Sequence, residues 1–334
     1  LGLGRPPGPD ADVIVLDTDT RSAAPAAAAR RVSDVAARCR EWGAVGVYKK
    51  VDSVLRGPVA AALAALRDAL GGACCLLVPA NPGLGRVIAG GQSLVAAMNM
   101  RLSTGDLLVD ISRIGALRGV VEENGTLRIG SLTRHCDIGS NPLVVRHAPL
   151  LAEAAGYIAH AAIRNRGTIG GAVAHADPAA EFPACLLALG AVMHVEGPKG
   201  RRAVASEAFF HDIFDTAIDE GEILTAITVP VLESGERQLL RETARRLGDY
   251  ALAGLCLVGR EAGHRVSLFS VGPKPVLAEA AMARLDSGDA PGAVEALRQE
   301  IDPPSDCQAT ASYRRHLAGV LLQRAMADLE GVET

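Results

Sequence analysis

The apolar positions of this chain follow one rhythm up to about residue 78 and another beyond residue 86. In the first stretch, apolar runs at 12–16 (DVIVL), 45–48 (VGVY) and 74–78 (CCLLV) alternate with segments of helical spacing at 24–41 and near 58–70. Strands alternating with helices predict a parallel α/β unit. The stretch 79–85, with Pro79, Pro82, Gly83 and Gly85, is dense in residues that interrupt regular structure and marks a boundary. Beyond it the order is mixed. A helix fits 93–102 and a strand fits 107–111. A hairpin fits 119–131, with Asn124-Gly125 at its turn and alternating apolar residues on both sides. Helices fit 143–158 and 179–189, a second hairpin fits 191–205 with its turn at 197–200, and a strand at 223–229 ends on Pro230. After a polar linker at 231–238 come strands near 239–245, 250–259 and 264–272, then helices within 276–300 and 311–329. This predicts an α+β architecture in three parts: an α/β fragment over 1–85, a domain over 86–230 and a second α+β domain over 236–332.

Composition narrows the class. Hydrophobic residues are 49% of the 334 but aromatics only 3%, so the cores must be built from Ala, Val, Leu and Ile. A formal net charge of −4 gives no electrostatic footprint for nucleic acid or an anionic membrane. No apolar run reaches the length of a membrane span. The chain opens on Leu1 rather than Met, and no signal-peptide pattern follows. The seven Cys residues are scattered without a C-x-x-C pair, which argues against a metal site and predicts reduced thiols in a cytoplasmic protein.

Two glycine-rich segments are the candidate chemistry. The first is Ala89, Gly90, Gly91, Gln92, Ser93 and Leu94, just ahead of a helix. The second is Thr168, Ile169, Gly170, Gly171 and Ala172, preceded by Arg164 and Arg166 and followed by His175 and Asp177. Glycine pairs let a backbone approach a ligand closely, and successive N–H groups at a turn or helix start make an anion-binding concavity. Ser93 and Thr168 add hydroxyl donors, and Asp177 can accept from a ribose or ring donor. A lone Gly-Gly pair is more often a plain turn. His135, His147, His160 and His175 show no ligand spacing and read as packing or surface residues, and Arg314-Arg315 reads as a solvated helix face.

The segments AGGQSL, RNRGTIGG and AHADPAAE, in this order, resemble signature segments of the FAD-binding subunits of molybdenum hydroxylases, the carbon monoxide and xanthine dehydrogenase group. LRIGSLTRH, EILTAI, RRLGDYALAG and DPPSDCQATASYRRHLAGVLLQRA extend the likeness over roughly 245 residues. The resemblance implies a FAD-binding domain of the p-cresol methylhydroxylase and xanthine dehydrogenase type, a flavoprotein C-terminal domain and one FAD per chain. It implies a diphosphate held by Ala89 through Leu94 and by Thr168 through Ala172, Asp177 on the adenosine or diphosphate side, and Leu224 and Tyr250 near the flavin. No catalytic side chain and no metal ligand is implied. The implied work is electron transfer from iron–sulfur clusters to FAD and on to an acceptor. The implied partners are a molybdenum-cofactor large subunit and a [2Fe-2S] small subunit. Many members carry Lys where this chain has Glu242.

The first 85 residues do not resemble the subdomain that opens such subunits. Asp17, Asp19, Arg21, Lys49, Lys50, Asp52, Arg56 and Gly57 instead resemble the acid-sugar pocket of the four-carbon acid sugar kinases. That family's opening acidic motif and nucleotide-binding half are missing, which argues against phosphoryl transfer. Two alternatives follow: a non-catalytic fusion relic with an incomplete FAD site, and a sugar-acid binding module through residues 17–57.

Overall fold

The computed structural model describes residues 24–41, 65, 85–100 and 107–330. The expected strands at 12–16, 45–48 and 74–78, nearly all of the helix at 58–70, and the sugar-kinase-like residues at 17–57 lie outside them. The chain falls into two compact units, one comprising Leu1–Ile88 with Ala97–Ile111, the other Ala89–Ala96 with Ser112–Thr334.

In the first unit, helix α1 (Pro25–Glu41) buries Ala28, Val32, Val35 and Ala36, the single stripe that helical periodicity requires. Strand β1 (Gly85–Ile88) pairs in parallel with β2 (Leu107–Asp110), Gly85 opposite Leu107 and Ile88 opposite Asp110. A parallel pair needs a crossover, and the connection contains the short helix α2 (Leu94–Asn99).

The second unit contains two antiparallel sheets. In the first sheet, β3 (Val120–Glu123) and β4 (Thr126–Gly130) form the expected hairpin, with Asn124 at φ 52° and Gly125 at φ 73°. Both turn residues are left-handed, the geometry that matches the twist of the flanking strands. Five short helices follow: α3 (His135–Ser140), α4 (Pro142–His147), α5 (Pro149–Tyr157), α6 (Ala161–Arg164) and α7 (Ile169–His175). The longer helix α8 (Glu181–Leu189) comes next. Then come β5 (Val192–Gly197), β6 (Gly200–Ala205), the helical turn α9 (Ser206–Phe209), the small ribbon β7 (Phe210–Asp212) with β8 (Asp215–Thr216), and β9 (Ile223–Pro230). The strand order is β3-β4-β9-β5-β6. The second sheet runs β10 (Arg237–Thr243), β11 (Ala253–Arg260), β12 (Gly263–Phe269), β13 (Val276–Leu277). It is covered by α10 (Glu279–Asp286), α11 (Ala290–Glu300) and α12 (Ala311–Glu330), whose Ala281, Val294, Leu297, Leu322 and Ala325 meet Leu255, Leu257 and Leu268 of the sheet.

Helix α8 joins the two halves. All nine of its residues are buried, as a helix apolar on every side must be. Its C-terminal carbonyls find donors on the second sheet, Arg265 giving Nε to Ala188 O at 2.9 Å and a terminal NH2 to Leu187 O at 2.7 Å, while Ser267 Oγ donates to the mid-helix Ala184 O at 2.6 Å. Buried helix ends need such partners.

Several elements differ from the sequence expectation. The helix expected over 143–158 breaks at Ala148, because Pro149 excludes the helical conformation from the residue before it and supplies no N–H. The 276–300 segment divides at 287–289, where Asp289 caps α11 by accepting from Gly292 N–H at 2.9 Å. Helix α7, which starts inside the second glycine segment, was not expected. Arg314 is not solvated as expected: it is 5% exposed and donates to Leu252 O, Ser270 O and Asp306, tying α12 to the second sheet. Leu186 is fully buried in α8, so Leu186→Ala should lower unfolding free energy by roughly 2–5 kcal/mol. A change under about 1 kcal/mol in urea denaturation would contradict this placement of α8.

Candidate functional site

The second glycine segment is built on an antiparallel backbone pairing with the strand end that follows β4. Ile169 N–H donates to Thr133 O at 3.0 Å, Gly170 N–H to Ser131 O at 2.8 Å, and His135 N–H to Gly167 O at 3.0 Å, while Arg134 bridges Thr168. The supporting strand is itself fixed: Ser131 N–H donates to Thr225 O at 3.1 Å and Leu132 N–H to Leu117 O at 2.8 Å. Thr168 then caps α7, its Oγ1 accepting from Gly171 N–H at 3.1 Å. Thr followed by Ile169 and Val173 on one buried face was the sequence signal for this helix.

The two glycine segments meet. A Cβ on Gly90 would collide with Arg166 O and stand 2.8 Å from Gly167 Cα. The backbones therefore pack against each other with no space for a side chain. Gly91, at φ 69°, turns the chain away from this contact, and Gln92 Nε2 donates to Gly90 O at 3.0 Å. Ser93 is exposed, and Leu94 begins α2.

The donor set differs in detail from the expected row of N–H groups. The amides of Ile169, Gly170 and Gly171 are already used by Thr133, Ser131 and Thr168. Gly170 is required by protein packing, since its Cβ would sit 2.5 Å from Ser131 Cβ. What remains is the Thr168 hydroxyl hydrogen, the Ser93 hydroxyl, and the turn at 91–93, whose amides donate to no other described residue. No carboxylate lies in either segment. A cradle of neutral donors that side chains cannot fill fits a diphosphate.

The other predicted positions divide. Asp177 is half-buried, with Oδ1 accepting from Ala179 N–H at 2.9 Å. Tyr250 is 70% exposed, and its hydroxyl lies close enough to the Asp177 carboxylate to feel its charge. Desolvation of that hydroxyl, then the Asp177 charge, pushes its pKa up to about 12. The structure thus brings Asp177 and Tyr250 together. Leu224 is different: only 5% exposed, it lies in the core of the first sheet opposite Val195. Ala172 is half-buried and Ile169 is fully buried behind the loop.

Sequence reading missed an acidic cluster beside these residues. Glu181, at the start of α8, is 8% exposed; burial, then Glu242 and Asp177, push its pKa up to about 8. Glu242, on β10, has Oε2 buried without a hydrogen-bond partner, and burial lifts its pKa to about 7. Its carboxyl is therefore partly protonated at neutral pH, which weakens the negative charge anticipated at this position. A single acid opening an otherwise apolar helix was the available signal for Glu181.

These shifts have a sign. A carboxyl whose folded pKa exceeds its unfolded value near 4.5 binds more protons in the native state, so stability falls as pH rises from about 4.5 towards 8. The wild-type Tm should decline over this window more steeply than that of the Glu181→Gln, Glu242→Gln double variant, the gap changing by about 2–4 °C for each kcal/mol of linkage. Parallel Tm profiles would contradict the assigned burial.

Fold and site define a FAD-binding chain of an oxidoreductase. Residues 76–232 match the FAD binding domain in molybdopterin dehydrogenase, and 238–329 match the CO dehydrogenase flavoprotein C-terminal domain. Residues 3–135 match a sugar-binding N-terminal domain, in line with the separate resemblance of the first segment. The carbon monoxide dehydrogenase medium chain of Hydrogenophaga pseudoflava is 36% identical over 251 residues, 72% of this chain and 88% of that one. A subunit of the 6-hydroxypseudooxynicotine dehydrogenase complex of Paenarthrobacter nicotinovorans is 36% identical over 253 residues, 72% and 86% of the two chains. The structure of carbon monoxide dehydrogenase from Hydrogenophaga pseudoflava superposes with TM-score 0.72 and 36% identity, covering 75% of this chain and 91% of that one. The chain belongs to the FAD-binding medium subunits of the molybdenum hydroxylases of carbon monoxide and xanthine dehydrogenase type, and FAD is its cofactor. Among the described residues no helix is long and apolar enough to cross a membrane.

Proposed function

We propose that this chain is the flavoprotein subunit of a cytoplasmic molybdenum hydroxylase, receiving electrons from the iron–sulfur clusters of a [2Fe-2S] small subunit. Those electrons originate at a molybdenum-cofactor large subunit and leave to an external acceptor. The observation that carries the reading is the seating of Gly90 directly on Arg166 and Gly167, which makes one cradle from two distant glycine segments. Residues 86–230 supply this cradle, and 236–332 form the domain that brings Tyr250 beside Asp177.

When bound, FAD supplies the two-electron and one-electron chemistry, and the protein supplies placement and electrostatics. Ser93, Thr168 and the amides of 91–93 hold the diphosphate as neutral donors, with Ala89, Gln92 and Leu94 shaping the first turn and Ile169 to Ala172 the second. Asp177, with Oδ1 held by Ala179 N–H, accepts from a ribose or ring donor with its other oxygen, and the exposed Tyr250 lies beside it. Glu242, where many members carry Lys, places a titrating carboxyl in the position expected near the flavin.

The purified chain should be yellow, with absorbance near 450 nm, and FAD should raise its Tm. Gly91→Val, which imposes a branched side chain at φ 69°, should weaken FAD binding by about tenfold or more, a loss of roughly 1.4 kcal/mol. Fluorescence titration with FAD measures this, and the Tm of the FAD-free variant reports folding. A colourless chain that FAD does not stabilise would refute the reading, and unchanged affinity in Gly91→Val would refute the loop assignment.

A further inference from the structure

Gly167 is held from two sides. On one side is Gly90, on which a Cβ would stand 2.8 Å from Gly167 Cα. On the other is the imidazole of His135: a Cβ on Gly167 would stand 2.9 Å from His135 Cε1 and 3.1 Å from Nδ1. The ring is 6% exposed and meets Phe182 edge to face, with centroids 5.1 Å apart and planes at 84°. Neither ring nitrogen makes a hydrogen bond of normal geometry, although the Thr168 backbone lies near enough to favour the charged form. Burial wins over that pull, aided by the positive charge of Arg164, and the ring stays neutral, its pKa lowered to about 4.

Stability alone does not explain a histidine here. A buried polar group without a partner is unfavourable, and an apolar residue of similar size removes that penalty. What the ring supplies is a thin planar surface under a backbone that has no room above it. A tetrahedral methyl group is thicker than a ring edge, so a branched aliphatic side chain lifts Gly167 into Gly90, whereas a small one lets the loop sink.

We propose that His135 is a positioning residue for the cofactor: its buried planar ring is the floor that sets the height of Gly167 and Thr168 against the Gly90 turn, and so the width of the diphosphate cradle. Its action passes through the loop and not through the flavin, so it applies equally to any ligand carrying the adenosine diphosphate half of FAD. The inference rests on the proposed FAD cradle.

The test compares the full-length wild type with His135→Leu, His135→Ala and His135→Phe. For each, Kd is measured for FAD and for ADP, and Tm is measured without ligand. Leu and Ala should raise both Kd values by about tenfold, by matching factors. His135→Leu should keep the ligand-free Tm within a few degrees. The planar Phe should restore binding to within about threefold of wild type. Equal FAD affinity in the Leu and wild-type chains would overturn the floor role while leaving the cradle standing. So would a Phe variant that binds as poorly as the Ala variant, or a loss for FAD without a matching loss for ADP. A wild type that binds neither ligand would overturn the cradle itself, and this inference with it.

Discussion

Three backbone hydrogen bonds between 131–135 and 167–170 govern the site: Ile169 to Thr133, Gly170 to Ser131 and His135 to Gly167. They turn a flexible glycine run into a rigid edge continuous with the first sheet. Buried amides are expensive to leave unpaired, so the pairing fixes the loop whether or not a ligand is present. It also decides the chemistry. The amides of Ile169 and Gly170 are consumed in the ladder, and the remaining donors are hydroxyls and the turn after Gly90. The site is preformed in one half, and the seating of Gly90 on Gly167 completes it.

The second constraint is electrostatic. Asp177, Glu181 and Glu242 converge from a loop, a buried helix and the second sheet. Like charges in a poorly solvated place do not all ionise, and burial already drives Glu181 and Glu242 towards their neutral forms. Asp177 is more open, and Ala179 N–H orients it. Burial of the two glutamates thus limits the negative charge that gathers around Asp177.

Much of this was legible in the sequence, for local reasons. The Asn124-Gly125 hairpin follows from turn chemistry, and the second hairpin follows from alternation around 197–200. The glycine segments were legible as a pair only through their likeness to a family, because glycine spacing does not distinguish a cradle from a turn. The unreadable parts depend on distant partners. Helix α8 was visible as an apolar run, but its role as the shared core of two sheets depends on Arg265 and Ser267, about eighty residues away. Arg314 looked like a solvated charge because nothing local announces its carbonyl partners just before β11 and after β12. The packing of His135 under Gly167 is likewise a contact between positions with no shared period.

The central claim is that one diphosphate lies between the two glycine segments. A crystal structure of the chain with FAD tests this most directly. The account predicts phosphate oxygens within hydrogen-bond distance of the Ser93 and Thr168 hydroxyls and of the 91–93 amides, with Gly90 still seated on Gly167. A diphosphate held elsewhere, or one that separates Gly90 from Gly167, would contradict it.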